Sequence, residues 1–172
     1  AMAAVYELMG ENNSYRNRIA CNFAGLNTDI EYTTLSTSSN TGEKELALYD
    51  CSLSNDRIAN AQGKDIWGYL NTAVERCNNA IEGLEAYADL NDPQMRYYLG
   101  EAYFLRSWAY LEQVKFWGDV PARFVSIAKD ENGVNAKKAD RNEVFAHLRE
   151  DLKKAADYLP WSAECPGAMK NH

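Results

Sequence analysis

Apolar residues recur at three- and four-residue steps along three stretches, and this spacing predicts helices. In the first, Ile66, Leu70, Ala73, Val74, Cys77, Ile81 and Leu84 share one face, with Asp65 as the N-cap and Tyr87 and Ala88 at the close. A short connector, 90–93, follows; Asn91 or Asp92 caps the next helix and Pro93 fits its first turn. That helix, 93–117, carries Tyr97, Tyr98, Ala102, Tyr103, Leu105, Trp108, Ala109, Leu111 and Val114, apolar around much of its circumference. Such a helix is buried on more than one side. Gly100 within it costs about 1 kcal/mol relative to Ala, which implies a close helix–helix approach. Gly118 and then Pro121 stop the helix. A third helix, 141–158, has the stripe Val144, Leu148, Leu152, Ala155 and Leu159, and ends at Leu159-Pro160.

The remainder is patterned more weakly. Residues 1–9 read as a short helix with Ala3, Tyr6 and Met9 in step, and 15–23 as its continuation beyond polar 11–13. From 25 to 64 the composition shifts, and 35–42 is rich in Ser, Thr, Asn and Gly. This is a long loop insertion, of a length that compact domains seldom carry without a binding role. Residues 122–140 form a polar connection with a turn at Asp130-Glu131-Asn132-Gly133 and an extended segment at 124–127. Residues 161–172 read as an open tail. The expected fold is all-α: one unit over 1–172, built of tetratricopeptide-like helical hairpins with long loop insertions.

Charge and composition narrow the function. The chain has 172 residues, 18 Lys plus Arg against 25 Asp plus Glu, and a net charge of -7. A basic field for nucleic acid is absent, so no nucleic-acid partner is expected. No apolar run approaches the roughly 18 residues that cross a bilayer, and residues 1–10 lack the basic flank and apolar core of a signal peptide. Tyr occurs 11 times, supplying flat amphipathic contact surface. The four cysteines, Cys21, Cys51, Cys77 and Cys165, form no CxxC pair; Cys77 falls on an apolar helix face and reads as a buried thiol.

Catalytic and metal signatures do not emerge. Neither HExxH, GxSxG, a P-loop nor GxGxxG occurs. His147 lies between Glu143 and Glu150 on what reads as a solvated helix face, and His172 is terminal, so no metal site and no cofactor are expected. Carboxylate pairs such as Asp29 with Glu31 and Glu43 with Glu45 stand two apart in a loop. A glycan-cleaving enzyme needs two carboxylates facing across a cleft, which this spacing does not supply. No enzyme is expected.

Three segments carry a resemblance. Residues 67–81 resemble a W-x3-Y-x2-I-x3-N-x2-I helix, with Trp67, Val74, Asn78 and Ile81 in place and Asn71 where Tyr is usual. The run GEAYFLRSWAY at 100–110, followed by FWGDVP at 116–121, looks like the signature of SusD/RagB-like outer-membrane lipoproteins. Residues 141–160 are similar to that family's next helix through Glu143, Val144, Asp151, Leu152, Ala155, Leu159 and Pro160. The resemblance implies the N-terminal, helical part of a longer protein, without the lipid-anchored cysteine segment and the C-terminal half.

It also implies a role. SusD-like proteins sit on the outer face of the outer membrane through an N-terminal lipid, cap a TonB-dependent SusC-like barrel, and hold glycans for import, or peptides in the RagB branch. A scaffold that docks on the barrel without binding ligand is the alternative. Gly100, Glu101, Arg106, Gly118, Asp119 and Pro121 read as helix packing, ion pairing and chain reversal. Glu101 and Arg106, five apart, make a poor same-face pair, which sends either to another helix. A sugar site needs a flat ring for the C–H face and polar groups for hydroxyls. Asp29, Tyr32, Tyr49, Asp50 and Arg57 in the long loop supply that mixture, and Asp29 resembles an acidic position in the family's binding region. Trp67 is both a candidate stacking ring and, with Trp108 and Trp117, a candidate core residue.

Overall fold

The computed structural model describes residues 2–10, 45 and 66–161. The continuation at 15–23, the Asp65 cap, the loop at 25–64 apart from helical Glu45, and the tail beyond Trp161 lie outside the described residues. Among those described, helix dominates. Helix α1 is Met2–Gly10, α2 Ile66–Tyr87, α3 Pro93–Trp117 and α4 Arg141–Tyr158. Between α3 and α4 come strand β1, Val120–Pro121, a 3-10 turn, Glu131–Asn135, and strand β2, Lys138–Ala139. The strands pair antiparallel, Val120 with Ala139 and Pro121 with Lys138. The fold is all-α with this small ribbon added.

The chain forms two compact units, residues 1–5 with 73–172, and residues 6–72. The first holds most of α2 and all of α3, the ribbon and α4. Its core joins Val74, Cys77 and Ile81 of α2 to Leu99, Tyr103, Leu105 and Tyr110 of α3, and to Val144, Leu148 and Ala155 of α4. Val5 of α1 is also buried, and Arg76 donates to the Ala4 carbonyl. In the second unit, the opening turns of α2 carry side-chain bonds to their own backbone: Asn71 Nδ2 donates to the Trp67 carbonyl at 2.8 Å and Thr72 Oγ1 to that of Gly68 at 2.8 Å.

Capping follows the local chemistry. The Asp92 carboxylate accepts the Gln94 N–H at 2.8 Å, with Pro93 at the first helical position of α3. Asp140 caps α4 in the same way, accepting from Asn142 N at 2.7 Å. At the C-terminus of α3, Gly118 takes φ 71°, a conformation that costs an L side chain, and its N–H donates to the Val114 carbonyl.

Helices α3 and α4 run antiparallel, because Gly100 near the start of α3 meets Tyr158 and Leu159 at the end of α4. A Cβ at Gly100 would stand 2.9 Å from Tyr158 Cβ and 2.9 Å from Leu159 Cγ, so the close approach expected at this glycine is present.

The structure departs from the sequence pattern in three places. Residues 124–125 form a bend and 127–129 a turn; the extended pairing lies at β1 and β2 instead. Leu152 is 44% exposed, whereas Val144, Leu148, Asp151 and Ala155 are buried. Turning α4 to bring Asp151 inward carries the next residue, 100° further round the helix, out of the interface. Trp67, Trp108 and Trp117 are half-buried, and the large rings of the interior are Tyr103 and Tyr110. Those tyrosines fit because each hydroxyl finds a partner: Tyr103 donates to Glu85, and Tyr110 donates to the Arg123 carbonyl at 2.7 Å.

Candidate functional site

A buried polar cluster among the described residues of the first unit is centred on the Arg106 guanidinium. Nε and Nη2 donate to the two oxygens of Asp151, each at 2.8 Å, in a side-by-side fork. Nη1 donates to Asn78 Oδ1 at 2.8 Å and to the Phe124 carbonyl at 3.0 Å. Four of the five guanidinium donors described by its chemistry are thereby engaged. Asn78 is fully buried and turns its Nδ2 to the carbonyls of Arg123, at 3.1 Å, and Val125, at 2.9 Å. The reversed amide would set its oxygen against two carbonyls, so the network determines its orientation.

This arrangement holds residues 123–127 against the helices. On α2, Glu75, Asn78 and Glu82 stand at i, i+3 and i+7, on one face. Glu75 pairs with Arg123 at 2.6 Å and accepts the Ile127 N–H at 3.0 Å. Glu82 accepts the Ser126 N–H at 2.8 Å and the Ser126 hydroxyl at 2.7 Å. On α3, the Tyr110 hydroxyl accepts the Arg123 N–H at 2.6 Å. Phe124 wedges inward: its ring lies 5.0 Å from Tyr110 and 5.4 Å from the Arg106 guanidinium carbon, and stacks on exposed His147 at 4.2 Å. The connection is therefore pinned through its backbone, with few side chains of its own inside.

Titration follows from the same contacts. Burial pushes the Cys77 thiol up to about 12, with the Arg106 charge opposing and the Asp151 and Glu101 carboxylates adding. Burial also raises Tyr110 to about 12, against the Arg123 backbone bond and the Arg106 charge. For Glu82, burial works upward but is outweighed by the Ser126 N–H, the Ser126 hydroxyl and the Lys129 charge, so its carboxyl titrates below the ordinary value.

The signature residues occupy distinct places. Arg106 ties α3 to α4 and α2; Glu101 is buried on α3; Gly100 lies under the end of α4. Asp119 accepts from Arg141 Nε at 3.0 Å and from its N–H at 3.2 Å, linking the end of α3 to the start of α4 at the surface. The Arg141 hydrogen bonds and charge hold the Asp119 carboxyl below the usual range, burial opposing them weakly. Gly118 makes the turn and Pro121 stands in β1. Of the candidate ligand residues, Trp67 lies in the first turn of α2, half-buried, while Asp29, Tyr32, Tyr49, Asp50 and Arg57 lie outside the described residues.

Asn78, Arg106 and Asp151 come one from each of the three sequence segments that carry the resemblance, and they meet in one hydrogen-bonded cluster. A family model, SusD-like, described as starch-binding and associating with the outer membrane, matches residues 3–171. This chain is a SusD-like protein. No curated protein and no solved structure matches it. In this SusD-like chain the Asn78, Arg106 and Asp151 cluster is an anchor for the connection between α3 and α4. Glu75, Glu82 and Arg123 were missed by the sequence reading; the signal was the spacing of Glu75, Asn78 and Glu82 along one helix face. Among the described residues, no group of three or more His, Cys, Asp and Glu is placed to hold a metal, and no helix is long and apolar enough to cross a membrane.

Proposed function

We propose that this chain captures oligosaccharides at the outward face of the outer membrane and passes them to a TonB-dependent SusC-like barrel. The observation that supports it is the family match over nearly the whole chain, to proteins described as starch-binding and associating with the outer membrane. In this reading the full-length protein is lipid-anchored, and no bond is broken. The long loop supplies the contacts: the rings of Tyr32, Tyr49 and Trp67 stack on sugar faces while Asp29, Asp50 and Arg57 bond hydroxyls.

The test is a panel of polysaccharides and oligopeptides against the chain, by affinity electrophoresis and calorimetry, with a pull-down from outer-membrane extract. Glycan retardation lost in Tyr32→Ala/Tyr49→Ala is the expected result. Binding of oligopeptides alone replaces the glycan with a peptide ligand. Capture of a barrel with no ligand binding replaces the reading with a docking scaffold.

A further inference from the structure

The 3-10 turn between β1 and β2, Glu131–Asn135, contains the one Asn-Gly pair of the chain, Asn132-Gly133. Among the described glycines only Gly118 takes a positive φ, so backbone conformation does not call for glycine at 133. Space does. A Cβ there would stand 2.5 Å from Arg123 Cδ and 3.0 Å from Asp130 Oδ2. Asn132, its neighbour, is exposed. The Gly133 N–H donates to the Asp130 carbonyl at 3.0 Å, and the Ala136 N–H to the Gly133 carbonyl at 3.2 Å. Such i to i+3 bonds have poorer geometry than those of an α-helix, and exposed turns open locally at low cost.

We infer that Asn132 is a site of spontaneous covalent modification, converting to aspartate and isoaspartate through attack by the chain's own backbone. The reaction needs a solvent-facing side-chain amide followed by a residue without a Cβ, because a side chain there shields the backbone nitrogen. The Gly133 nitrogen gives its proton to solvent base and bonds to Asn132 Cγ. The bond from Cγ to the amide nitrogen breaks, ammonia leaves, and a five-membered imide remains. Water then opens the ring. Opening at the main-chain carbonyl leaves isoaspartate, with the chain running through Cγ and one carbon longer; opening at Cγ leaves aspartate. Water is the only co-reactant, and nothing is oxidised or reduced. The Gly133–Asp130 bond restrains the attacking nitrogen, so conversion in the folded chain waits on the turn opening. Both products add a carboxylate beside Asp130 and Glu131 and make the net charge one unit more negative than -7. Isoaspartate also breaks the i to i+3 register of the turn that packs on Arg123, the residue that Glu75 and Tyr110 hold.

The test incubates the whole chain and its Asn132→Gln variant at mildly alkaline pH, folded and in urea, with circular dichroism checking that the variant keeps the fold. A lysine-specific protease, used at mildly acid pH, releases residues 130–137, which hold Asn132 and Asn135. Mass spectrometry compares that peptide with the same peptide from unincubated chain. In the folded chain the expected result is the mass change of an amide turned to an acid, located at Asn132, in two chromatographic forms. A protein isoaspartyl methyltransferase labels one of the two. Conversion runs about three- to tenfold slower in the folded chain than in urea, the scale of one net hydrogen bond. The Asn132→Gln variant shows neither the mass change nor the label. Folded chain that stays unmodified while chain in urea converts overturns the inference, since the closed turn then withholds the nitrogen. Conversion at Asn135 in place of Asn132, or none in either condition, overturns it as well.

Discussion

Substituting Asp151 by Ala tests the anchor most directly. Its carboxylate meets Arg106 through two bonds of 2.8 Å, with side-chain exposures of 6% and 7% for Arg106 and Asp151. Removing it leaves a guanidinium buried with half of its partners gone. Breaking a buried pair from one side costs about 3–5 kcal/mol, more than the pair contributes relative to an apolar replacement, because the remaining charge is uncompensated. Two routes lessen the loss: water entering the vacated space, and the Asn78 and Phe124 contacts that Arg106 keeps. The lower end, about 3 kcal/mol, is the expectation. Urea unfolding followed by circular dichroism reads it as a fall in midpoint of about 1–3 M at the slopes usual for small domains. A companion Glu150→Ala variant removes the exposed partner of Lys153 on the same helix and should leave the urea midpoint nearly unchanged, because solvent screens so open a pair. Arg106→Met/Asp151→Leu removes both charges but strands Asn78 Oδ1 and the Phe124 carbonyl, and should fall between the two. Equal, small losses for Asp151→Ala and Glu150→Ala would refute the reasoning, since the cluster would then bear no more than a surface pair.

Two glycines in neighbouring helices should respond oppositely to a methyl group. Gly83→Ala in α2 meets nothing within 4 Å and should stabilise by roughly 0.5–1 kcal/mol. Gly100→Ala meets the Tyr158 and Leu159 side chains and should lower the midpoint of thermal unfolding despite the same gain in helix propensity. Acid should release the 123–127 connection partly through Glu82. Its folded value lies below the ordinary 4.5, so its contribution is complete above that value and lost as pH falls through the folded one. Glu82→Gln should therefore flatten the acid limb of the stability–pH curve below about pH 4.5 and leave its neutral slope unchanged, read by urea midpoints at several pH values.

The helices were legible in the sequence because their determinants are local. The periodic apolar faces, the Asp92-Pro93 start and the Gly118 stop are set by residues within a turn of one another, and the structure keeps them. Gly100 was legible too, as a costly residue that demanded a close neighbour, though the sequence did not say that the neighbour was the end of α4. The family was readable from the resemblance of residues 67–81, 100–121 and 141–160 to its motifs, and the match over residues 3–171 agrees. Tertiary structure decided which polar residues are interior. Along α4 the apolar pattern favours Leu152 over Asp151, yet Asp151 is buried, because a partner on another helix makes a buried carboxylate tolerable and helical geometry then turns Leu152 outward. Glu75 and Glu82 look solvated in one dimension and become clamps only when residues 123–127, some forty to fifty positions later in the chain, bring their N–H groups to them. Partners so distant in sequence leave no periodic trace, so the joining of Asn78, Arg106 and Asp151 into one anchor is known only from the folded chain.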